Sequence, residues 1–344
     1  MARALTSARK FWTILTAYTV KRPLALCDVS DLDGVVCAAL FKMKHPEGAV
    51  VLAAPSDVRK SILIRRVRWS FVADLPCPGR ALVRADHHAS NSPCADREFY
   101  DPSAPAAAVL ALKALGLEGD ERSRRLVELA VETDTARIVS REALLLNDAV
   151  KGLGYGGKLR LVDLLATKPL EEVLNNPFVL EAAKRFEEVR RATEELAAKL
   201  PAEEVFVAAF ERGMKLSFRY LCILMERKGS KMTAVLAPQG FFGLRVYLGS
   251  SSPEYDVSKI AEGFGGGGHP YAAGASLACL SRKKCAEKVL AEIAKYLGKE
   301  RLKVFIVDEK GFKERWWSAR HVVTPPFAQG YRVPPCFLAS SRAR

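Results

Sequence analysis

The chain has 344 residues and a formal net charge of +14, with 49% hydrophobic and 27% charged residues. This length suits two or three domains, and the composition is that of an ordinary globular protein. It excludes a disordered or collagen-like chain, and the apolar stretches fall short of the roughly 20 residues that a membrane-spanning helix needs. The positive excess favours a polyanionic partner such as nucleic acid.

The positive charge is concentrated near the C-terminus. Residues 301–344 hold nine basic and three acidic residues, which is almost half of the net excess. We therefore expect a basic C-terminal extension. A contact with nucleic acid and a simple contribution to solubility are both open for this extension.

The cysteines and amides bear on the environment of the protein. None of the eight cysteines forms a CxxC pair, which excludes a zinc ribbon or a thioredoxin-type site. Only four Asn and two Gln occur, which favours a thermophilic source, where disulfides inside the cell are accepted. The apolar segment Phe11–Val20 lacks a small-residue cleavage site, so we expect a cytoplasmic protein.

The first 165 residues alternate between strand-like and helical segments. Such alternation predicts a parallel sheet covered by helices, and ligands of these sheets bind at the carboxyl ends of the strands. The predicted strands are 24–27, 50–54, 70–73 and 81–84, and the predicted helices begin at Gly34 or span 104–115 and 122–130.

A long charged helix is predicted next. Residues 177–200 carry apolar side chains at helical spacing among many charges, and Pro201 ends the pattern. We expect this helix to connect two α/β domains. The second domain has predicted strands 205–210, 233–238 and 243–248 and predicted helices 217–227 and 281–297, and one more strand, 304–307, follows.

The predicted fold class is therefore α/β with two lobes. The first lobe contains a parallel sheet, a helical linker follows, the second lobe is smaller, and a basic extension ends the chain. The predicted boundaries are 1–175, 176–201, 202–300 and 301–344.

Four acidic elements follow apolar segments that have the character of strands. They are Ser30–Gly34 with Asp31 and Asp33, then Asp74, then Asp86-His87-His88, and Thr133–Thr135 with Asp134. A lone Asp at such a place is usually a helix cap or a turn residue, but four together are expected to converge at one sheet edge. Carboxylates with imidazoles suit Mn²⁺ or Mg²⁺, and two such ions hold a phosphate and activate water.

A run of four glycines precedes a histidine in the second domain. Without Cβ atoms, the backbone N–H groups of Gly265–Gly268 can approach an anion, and His269 adds a polar contact. A flexible linker would be rich in Gly and Ser and would not continue into His-Pro-Tyr. A Walker loop is excluded because no Lys-Ser/Thr follows. The run therefore predicts a phosphate-binding loop.

These motifs together closely resemble the DHH phosphoesterase family, which includes RecJ-type exonucleases and nanoRNases. The motif that gives the family its name is Asp86-His87-His88. Ser30–Gly34 resembles the first family motif, Asp74 the second and Thr133–Thr135 the fourth, while Phe264–Ala275 resembles the GGGH motif of the DHH-associated domain. The match covers roughly residues 22–298, and the order and spacing of the motifs make it specific.

The resemblance implies a DHH domain that holds metal and a DHH-associated domain that grips substrate across a cleft. The implied ligands of two divalent ions, Mn²⁺ foremost and Mg²⁺ second, are Asp31, Asp33, Asp74, His87 and Asp134. Asp86 is implied to orient the histidines, and His88 to contact the metal site or the scissile phosphate. The implied substrate contacts are Gly266, Gly267, Gly268 and His269, while Arg137 is either a phosphate contact or a surface base.

The sequence departs from the family pattern at one metal position. Family members commonly carry a His about four residues before the first Asp of the first motif, and Cys27 stands there with Asp28 beside it. Because Cys prefers softer metals than Mn²⁺, the first metal site is altered, is weaker or uses Asp28.

The predicted function is a Mn-dependent phosphodiesterase that acts on short oligonucleotides or single-stranded RNA or DNA ends. The chain has no room for a large extra binding domain, which favours short substrates. Cleavage of a cyclic dinucleotide or of a nucleoside bisphosphate uses the same chemistry, and a non-catalytic replication-associated protein is a further alternative. No membrane partner is expected, and a homodimer is left open.

Overall fold

A five-stranded sheet forms the centre of the first domain. The computed structural model describes residues 2–240 and 242–318. The strands are β1 (Leu24–Asp28), β2 (Ala49–Ala53), β3 (Trp69–Ala73), β4 (Ala81–Asp86) and β5 (Ala95–Tyr100). All neighbours pair in parallel in the order β2-β1-β3-β4-β5, so the strand order reverses between β1 and β3. Ligands of such sheets bind where the order reverses, at the carboxyl ends of the strands.

Helices cover both faces of this sheet. They are α1 (Ala2–Thr19), α2 (Leu32–Lys44), α3 (Pro55–Lys60), α4 (Ile62–Arg66), α5 (Ala107–Leu115), α6 (Glu121–Asp134), α7 (Arg141–Gly152), α8 (Tyr155–Thr167) and α9 (Leu170–Leu174). Residues of α1, α3 and α4 pack on one face, and residues of α2 and α5–α8 pack on the other. Every residue of α2 from Leu32 to Phe41 is buried, which fixes the start of this helix against the sheet.

A long helix leads to a second sheet. Helix α10 (Pro177–Lys199) lies where the linker is predicted, and it packs against α7 of the first domain and α11 (Phe218–Arg227) of the second. The remaining helices are α12 (Val257–Glu262) and α13 (Arg282–Tyr296). The strands are β6 (Val205–Phe210), β7 (Met232–Pro238), β8 (Gly243–Ser250), β9 (Gly267–His269), β10 (Ala272–Ala278), β11 (Arg301–Asp308) and β12 (Gly311–Ser318).

The second sheet is mixed and larger than predicted. Its order is β12-β11-β6-β7-β8-β10-β9, and β11 pairs in parallel with β6. Because residues 301–318 belong to this sheet, the second domain continues past the predicted boundary at 300. The rest of the predicted extension, 319–344, lies outside the described residues. The overall α/β class with a parallel first sheet is confirmed.

No helix among residues 2–240 and 242–318 combines the length and the apolar character needed to cross a membrane. Within residues 2–240 and 242–318, disulfides bond Cys77 to Cys94 and Cys279 to Cys285. The first joins the loop after β3 to the loop after β4. It therefore ties together the two segments that leave the carboxyl edge of the first sheet.

Reduction of Cys77–Cys94 is expected to destabilise the protein. The bond closes a loop with a sequence separation of 17, which corresponds to about 3 kcal/mol of unfolding free energy in the chain-entropy account. Denaturant titration of the Cys77→Ser/Cys94→Ser variant measures this loss. The matched variant is Cys279→Ser/Cys285→Ser. The disulfide that it removes closes a loop with a sequence separation of only 6, so the expected loss of unfolding free energy is smaller, about 2 kcal/mol. An identical unfolding midpoint with and without reductant would contradict the prediction.

Candidate metal centre

The end of β1 and the loop after it supply two carboxylates, those of Asp28 and Asp31. Asp28 ends the strand and is buried, and its Oδ1 accepts hydrogen bonds from the Val29 amide at 2.7 Å and the Ser30 hydroxyl at 3.1 Å. Asp31 is the N-cap of α2 and accepts from the Gly34 amide at 3.3 Å. The end of β1 and the capped start of α2 therefore place both side chains at the sheet edge where the strand order reverses.

Asp33 is held by a second helix. Its two carboxylate oxygens accept from the backbone amides of Ala107 and Ala108, each at 2.8 Å, at the start of α5. A carboxylate is favoured at a helix N-terminus because the free N–H groups and the helix dipole both stabilise negative charge. Asp33 is 1% exposed, so this contact fixes the side chain between α2 and α5.

Asp74 follows β3 in an uncommon backbone conformation. Its φ is +58°, in the left-handed region, where Asp and Asn are among the better tolerated non-glycine residues. The Asp74 amide donates to the Ala85 carbonyl at 3.0 Å, and the side chain is 3% exposed. Asp74 therefore leaves the strand at a fixed turn beside the end of β4.

His87 has the geometry of a metal ligand. Its Nδ1 lies 3.1 Å from the Ala104 carbonyl, and this contact assigns the proton to Nδ1 and the lone pair to Nε2. Nε2 is buried without a hydrogen-bond partner and lies 3.8 Å from Asp74 Oδ1 and 3.7 Å from Asp134 Oδ2. An unpaired buried nitrogen costs free energy, and a cation between the imidazole and the carboxylates would satisfy it. The residues present therefore fit a divalent metal.

Asp86 is committed to neighbouring side chains. It is fully buried, forms an ion pair with Arg84, accepts from Asn91 Nδ2 at 2.7 Å and lies 3.0 Å from His88 Nδ1. Burial works against ionisation, but the hydrogen bond and charge of His88, together with Arg84, hold the pKa of Asp86 below its usual value. Asp86 is thus placed to orient His88.

Asp134 reaches the site from a helix. The predicted helix over 122–130 is confirmed as α6, and Asp134 is the last residue of that helix. Grouping its apolar segment 126–131 with the strand-like segments is wrong, because the helix packs against α2 and α7 rather than pairing in the sheet. The Asp134 side chain nevertheless lies at the carboxyl edge, beside His87.

The carboxylates repel one another. Burial, followed by the charges of neighbouring aspartates, raises the pKa of Asp28 to about 8, of Asp33 to about 7 and of Asp134 to about 8. The pKa of Asp74 is raised well above its usual value for the same reasons. A cluster of this kind is unfavourable near neutral pH unless protons or cations neutralise it.

Asp74 belongs to three groups of side chains whose ligand atoms lie within 4.8 Å of one another: Asp33, Asp74 and His87; Asp28, Asp31 and Asp74; and Asp74, Asp86 and His88. Because Asp86 is held by Arg84 and Asn91, the first two groups are the candidate cation positions. A fourth group, His87, His88 and His269, includes a residue of the second domain. Cys27 is fully buried in the apolar core, where burial raises its thiol pKa, and it belongs to none of these groups. At the altered position of the first motif, Asp28 and not Cys27 therefore lies within reach of the other carboxylates.

The glycine segment of the second domain faces this cluster. The His269 ring centroid lies 4.7 Å from that of His88, 5.4 Å from that of His87 and 5.1 Å from that of Tyr271. Burial, then the charges of His88 and His87, lowers the pKa of His269 to about 4. A neutral imidazole of the second domain thus lies beside the aspartates and histidines of the first domain, here called the metal cluster because they would hold the cations.

Part of the glycine segment forms a strand, where the sequence predicts a loop. Residues 267–269 form the edge strand β9 rather than an irregular anion-binding loop. A Cβ on Gly266 would lie 2.3 Å from the Gly274 carbonyl, and one on Gly268 would lie 2.3 Å from the Ala272 carbonyl. Glycine is needed at both places because the neighbouring backbone of β10 is so close. Gly267 has open space on this side and lines a cavity.

Two cavities flank the cluster between the domains. The larger, here called the cleft, has a volume of about 860 Å³ and is lined by Asp31, Asp134, Arg137 and Arg219 and by His269. The smaller cavity has a volume of about 340 Å³ and is lined by Asp74, His88 and the glycines of β9. Arg59 and Arg245 are the basic side chains of its lining. Residues of both domains line each cavity.

The chain resembles known proteins in structure, whereas no protein-family model and no curated protein matches its sequence. The pGpG-specific phosphodiesterase PggH from Vibrio cholerae is similar in structure, with a TM-score of 0.57 and 19% identity over 81% of this chain and 99% of that one. RecJ with Mn²⁺ from Thermus thermophilus gives 0.56 and 16% over 80% of this chain and 52% of that one. The DHH domain of a protein from a ribosomal-protein family gives 0.51 and 15% over 86% and 91%.

The chain has the DHH fold. The likeness extends over both domains, since each comparison covers at least 80% of the chain. At these identities it concerns the fold, and the roles of individual residues rest on the site geometry. The resemblance inferred from the motifs is confirmed at this level.

Some site residues were not found from sequence. Arg84 is fully buried beneath the DHH motif, and besides Asp86 it contacts the Ser92 carbonyl at 2.9 Å and the Leu75 carbonyl at 3.3 Å. A signal was available, because Arg84 precedes Asp86 by two residues in an otherwise apolar strand and so shares its face. Lys151 and Arg219 line the cleft without any local motif.

Metal-free protein is expected to lose stability as the pH rises from about 4 to about 8. The unfolded aspartates have pKa values near 3.9, while Asp28, Asp33 and Asp134 in the folded protein titrate at about 7 to 8. Between these values the folded state holds more protons than the unfolded state, so the free energy of unfolding falls with pH.

Thermal unfolding after chelation, with and without added Mn²⁺, measures this effect. Mn²⁺ should raise the melting temperature more at about pH 8 than at about pH 5, because metal binding displaces the protons. Equal shifts at both pH values would contradict the proposed clustering of charge.

Proposed function

We propose that this protein is a metal-dependent phosphodiesterase that hydrolyses short oligonucleotides. The observation that carries the proposal is the position of the cluster around Asp74 and His87, which lies between two cavities of limited volume formed by both domains. Cavities of this size enclose small ligands and cannot accommodate a long duplex. The DHH fold shared with RecJ and with a pGpG-specific phosphodiesterase supports the same reaction class.

Two divalent cations fit the donors. Asp33, Asp74 and His87, with Asp134 beside them, would hold one ion, and Asp28 and Asp31 would hold the other together with Asp74. Oxygen donors with one imidazole favour Mn²⁺ or Mg²⁺, and RecJ from Thermus thermophilus has been solved with each. Such ions, when bound, lower the pKa of water and polarise a phosphoryl oxygen.

The chain itself positions the phosphate. Burial works against protonation, but the hydrogen bond and charge of Asp86 raise the pKa of His88, which favours an imidazolium that can donate to a phosphate oxygen. His269 stays neutral and meets the substrate from the other domain. Arg137 in the cleft and the β9 glycines in the smaller cavity line the path on either side of the cluster.

A dinucleotide, the shortest of the oligonucleotides, is the second candidate substrate. The two cavities, one on each side of the cluster, match a substrate with one nucleoside on each side of the scissile phosphate. PggH, which shares the fold, is a pGpG-specific phosphodiesterase. Cyclic dinucleotides and nucleoside bisphosphates remain as alternatives with the same metal chemistry.

A hydrolysis panel with Mn²⁺ tests the proposal. It compares pApA, pGpG, a five-nucleotide RNA, a cyclic dinucleotide, a nucleoside 3′,5′-bisphosphate and long labelled single-stranded DNA and RNA. The expected result is the highest kcat/KM on the two- to five-nucleotide substrates. Faster digestion of the long strands would refute the length preference, and no hydrolysis of any member would refute the activity.

His269→Ala is expected to raise KM at least tenfold with little change in kcat. The side chain comes from the substrate-gripping domain and contributes binding rather than a metal ligand in this proposal. Steady-state kinetics on pApA and metal analysis of the same sample measure the split. The control is His45→Ala, a partly exposed histidine beside Glu47 at the end of α2 opposite Asp31 and Asp33. A fall in bound metal with unchanged KM would show that His269 is a ligand instead.

A further inference from the structure

A third cavity continues from the cleft and is not explained by the metal chemistry. It has a volume of about 310 Å³ and is here called the inner pocket. The two spaces adjoin, because seven residues line both: Thr133, Ala136, Asn147, Lys151, Tyr220, Ile223 and Arg227. Its walls come from the α6–α7 segment, from α10 and from α11, and the glycines of β9 do not contribute to it.

The inner pocket has an apolar wall, an amide and several charged side chains. Ile138, Leu144, Phe186 and Ile223 form the apolar wall, and the Asn147 carboxamide lies beside them. The charged side chains of the lining are those of Arg141, Asp148, Lys151, Arg190 and Arg227. The nearest carboxylate, Asp148, is already paired with Arg190 at 3.2 Å. A flat aromatic base stacks on a phenyl ring and can exchange hydrogen bonds with an amide, so the lining suits a nucleobase. The volume lies at the lower end of the range for ligand pockets.

A cation stands where the inner pocket joins the cleft. Lys151 lines both spaces, and its Nζ makes no hydrogen bond or ion pair with any residue that the structure describes. The Phe186 ring centroid lies 5.5 Å away. Lys158, one helix later, is by contrast bonded to the Val29 carbonyl. The surface of Lys151 that remains exposed faces the two cavities, where an anion can reach it.

We propose that the inner pocket binds one nucleoside of the substrate and that Lys151 contacts the phosphate attached to it. This inference rests on the proposed function, because it takes the cleft to hold a phosphodiester beside the metal cluster. A phosphate between Lys151 and the cluster would place the base of the next nucleoside against Phe186. The pocket has room for a single nucleoside, which explains a preference for very short chains by geometry.

Filling the pocket tests the inference. Leu144→Trp places a large ring in the inner pocket, and Leu180→Trp makes the same change at an exposed position of α10. Two quantities are measured: AMP affinity by isothermal titration calorimetry, and kcat/KM for pApA relative to bis(p-nitrophenyl) phosphate. Leu144→Trp is expected to weaken AMP binding at least tenfold and to lower the kcat/KM ratio at least tenfold, while Leu180→Trp keeps both within twofold. Phe186→Ala, which removes the stacking surface, serves as the second pocket variant if Leu144→Trp does not fold.

Removing the cation tests the phosphate contact. The wild-type protein is expected to bind AMP at least tenfold more tightly than adenosine, and Lys151→Met should lose most of this difference. Lys184→Met, an exposed lysine of α10, is the matched control and should keep it. The salt dependence of AMP binding should also become weaker in Lys151→Met, because one phosphate contact is lost.

The outcomes separate the inference from the proposed function. If pApA is hydrolysed but Leu144→Trp and Phe186→Ala keep the AMP affinity and selectivity of the wild type, the inner pocket does not bind the nucleoside and the inference is overturned. If no phosphodiester is hydrolysed but AMP binds and the pocket variants weaken it, the activity is refuted while the nucleoside pocket stands. AMP affinity equal to that of inorganic phosphate would also overturn the inference.

Discussion

Asp74→Asn is expected to lower phosphodiester hydrolysis by about a thousandfold or more. Asp74 belongs to both candidate cation positions, so its neutralisation weakens both at once. A metal site supplies several kcal/mol of charge stabilisation, and each 1.36 kcal/mol corresponds to a factor of ten in rate. Asn is the suitable replacement because it tolerates the left-handed backbone at φ +58°, whereas Ala would add strain.

The same variant should be more stable than the wild type when metal is absent. Burial, followed by the charges of Asp33, Asp31, Asp28 and Asp134, raises the pKa of Asp74. Removing one charge relieves this repulsion, so the melting temperature of chelated protein should rise while activity and bound metal fall. Kinetics, metal analysis and thermal unfolding of one preparation test the combination. Asp163→Asn, an exposed aspartate on α8, is the control and should change none of them. Full metal content in Asp74→Asn would contradict the assignment.

Arg84→Met is expected to reduce the free energy of unfolding by about 3 to 5 kcal/mol. Both Arg84 and Asp86 are fully buried, and removing one partner leaves an uncompensated buried charge. Arg84 also bonds the Leu75 and Ser92 carbonyls, so its loss loosens the two loops next to the metal cluster. Denaturant titration measures the change. Arg68→Met, which breaks an exposed pair with Asp96, should cost less than about 1 kcal/mol.

A second substitution separates stability from activity. Arg84→Met/Asp86→Leu removes both members of the fully buried pair, so much of the stability should return. The return should be incomplete, because Glu98, which lies 3.4 Å from Arg84 Nη1, also loses its cation. Activity should stay low, because His88 has lost the carboxylate 3.0 Å from its Nδ1. Arg84→Lys should not restore either property fully, since one ammonium cannot reproduce the fork of guanidinium contacts. If Arg84→Met had the free energy of unfolding of the wild type, the buried Asp86 would not need Arg84 as its partner and the prediction would be wrong.

The parts of the site that follow parallel strands were predictable from sequence. Buried strands read as short apolar runs, and Asp31, Asp74 and Asp86 come directly after such runs. The helix before Asp134 is predicted correctly over 122–130, but its apolar run 126–131 also has the character of a strand, because a six-residue apolar run fits a buried strand or one face of a helix equally well. Residues 267–269 were predicted as a loop because glycines carry no strand signal, and only the nearness of β10 explains them.

The inner pocket had no sequence signature. Lys151, Phe186 and Ile223 come from α7, α10 and α11, and what brings them together is the packing of the two domains around the linker helix. The helix and strand propensities of a segment and the spacing of its apolar residues describe a single helix or strand. A cavity formed between three elements is a tertiary property that these patterns do not encode.

The double duty of Asp33 has a consequence for how this chain could change over evolutionary time. The carboxylate that would bind a metal also caps α5 through two backbone amides. If selection for catalysis were relaxed, Asp134 could be replaced at little structural cost, but replacing Asp33 would unseat a helix of the core. A descendant that had become inactive would therefore still carry Asp33. The retention of Asp33 in a relative reflects folding, and Asp134 is the position that reports on catalysis.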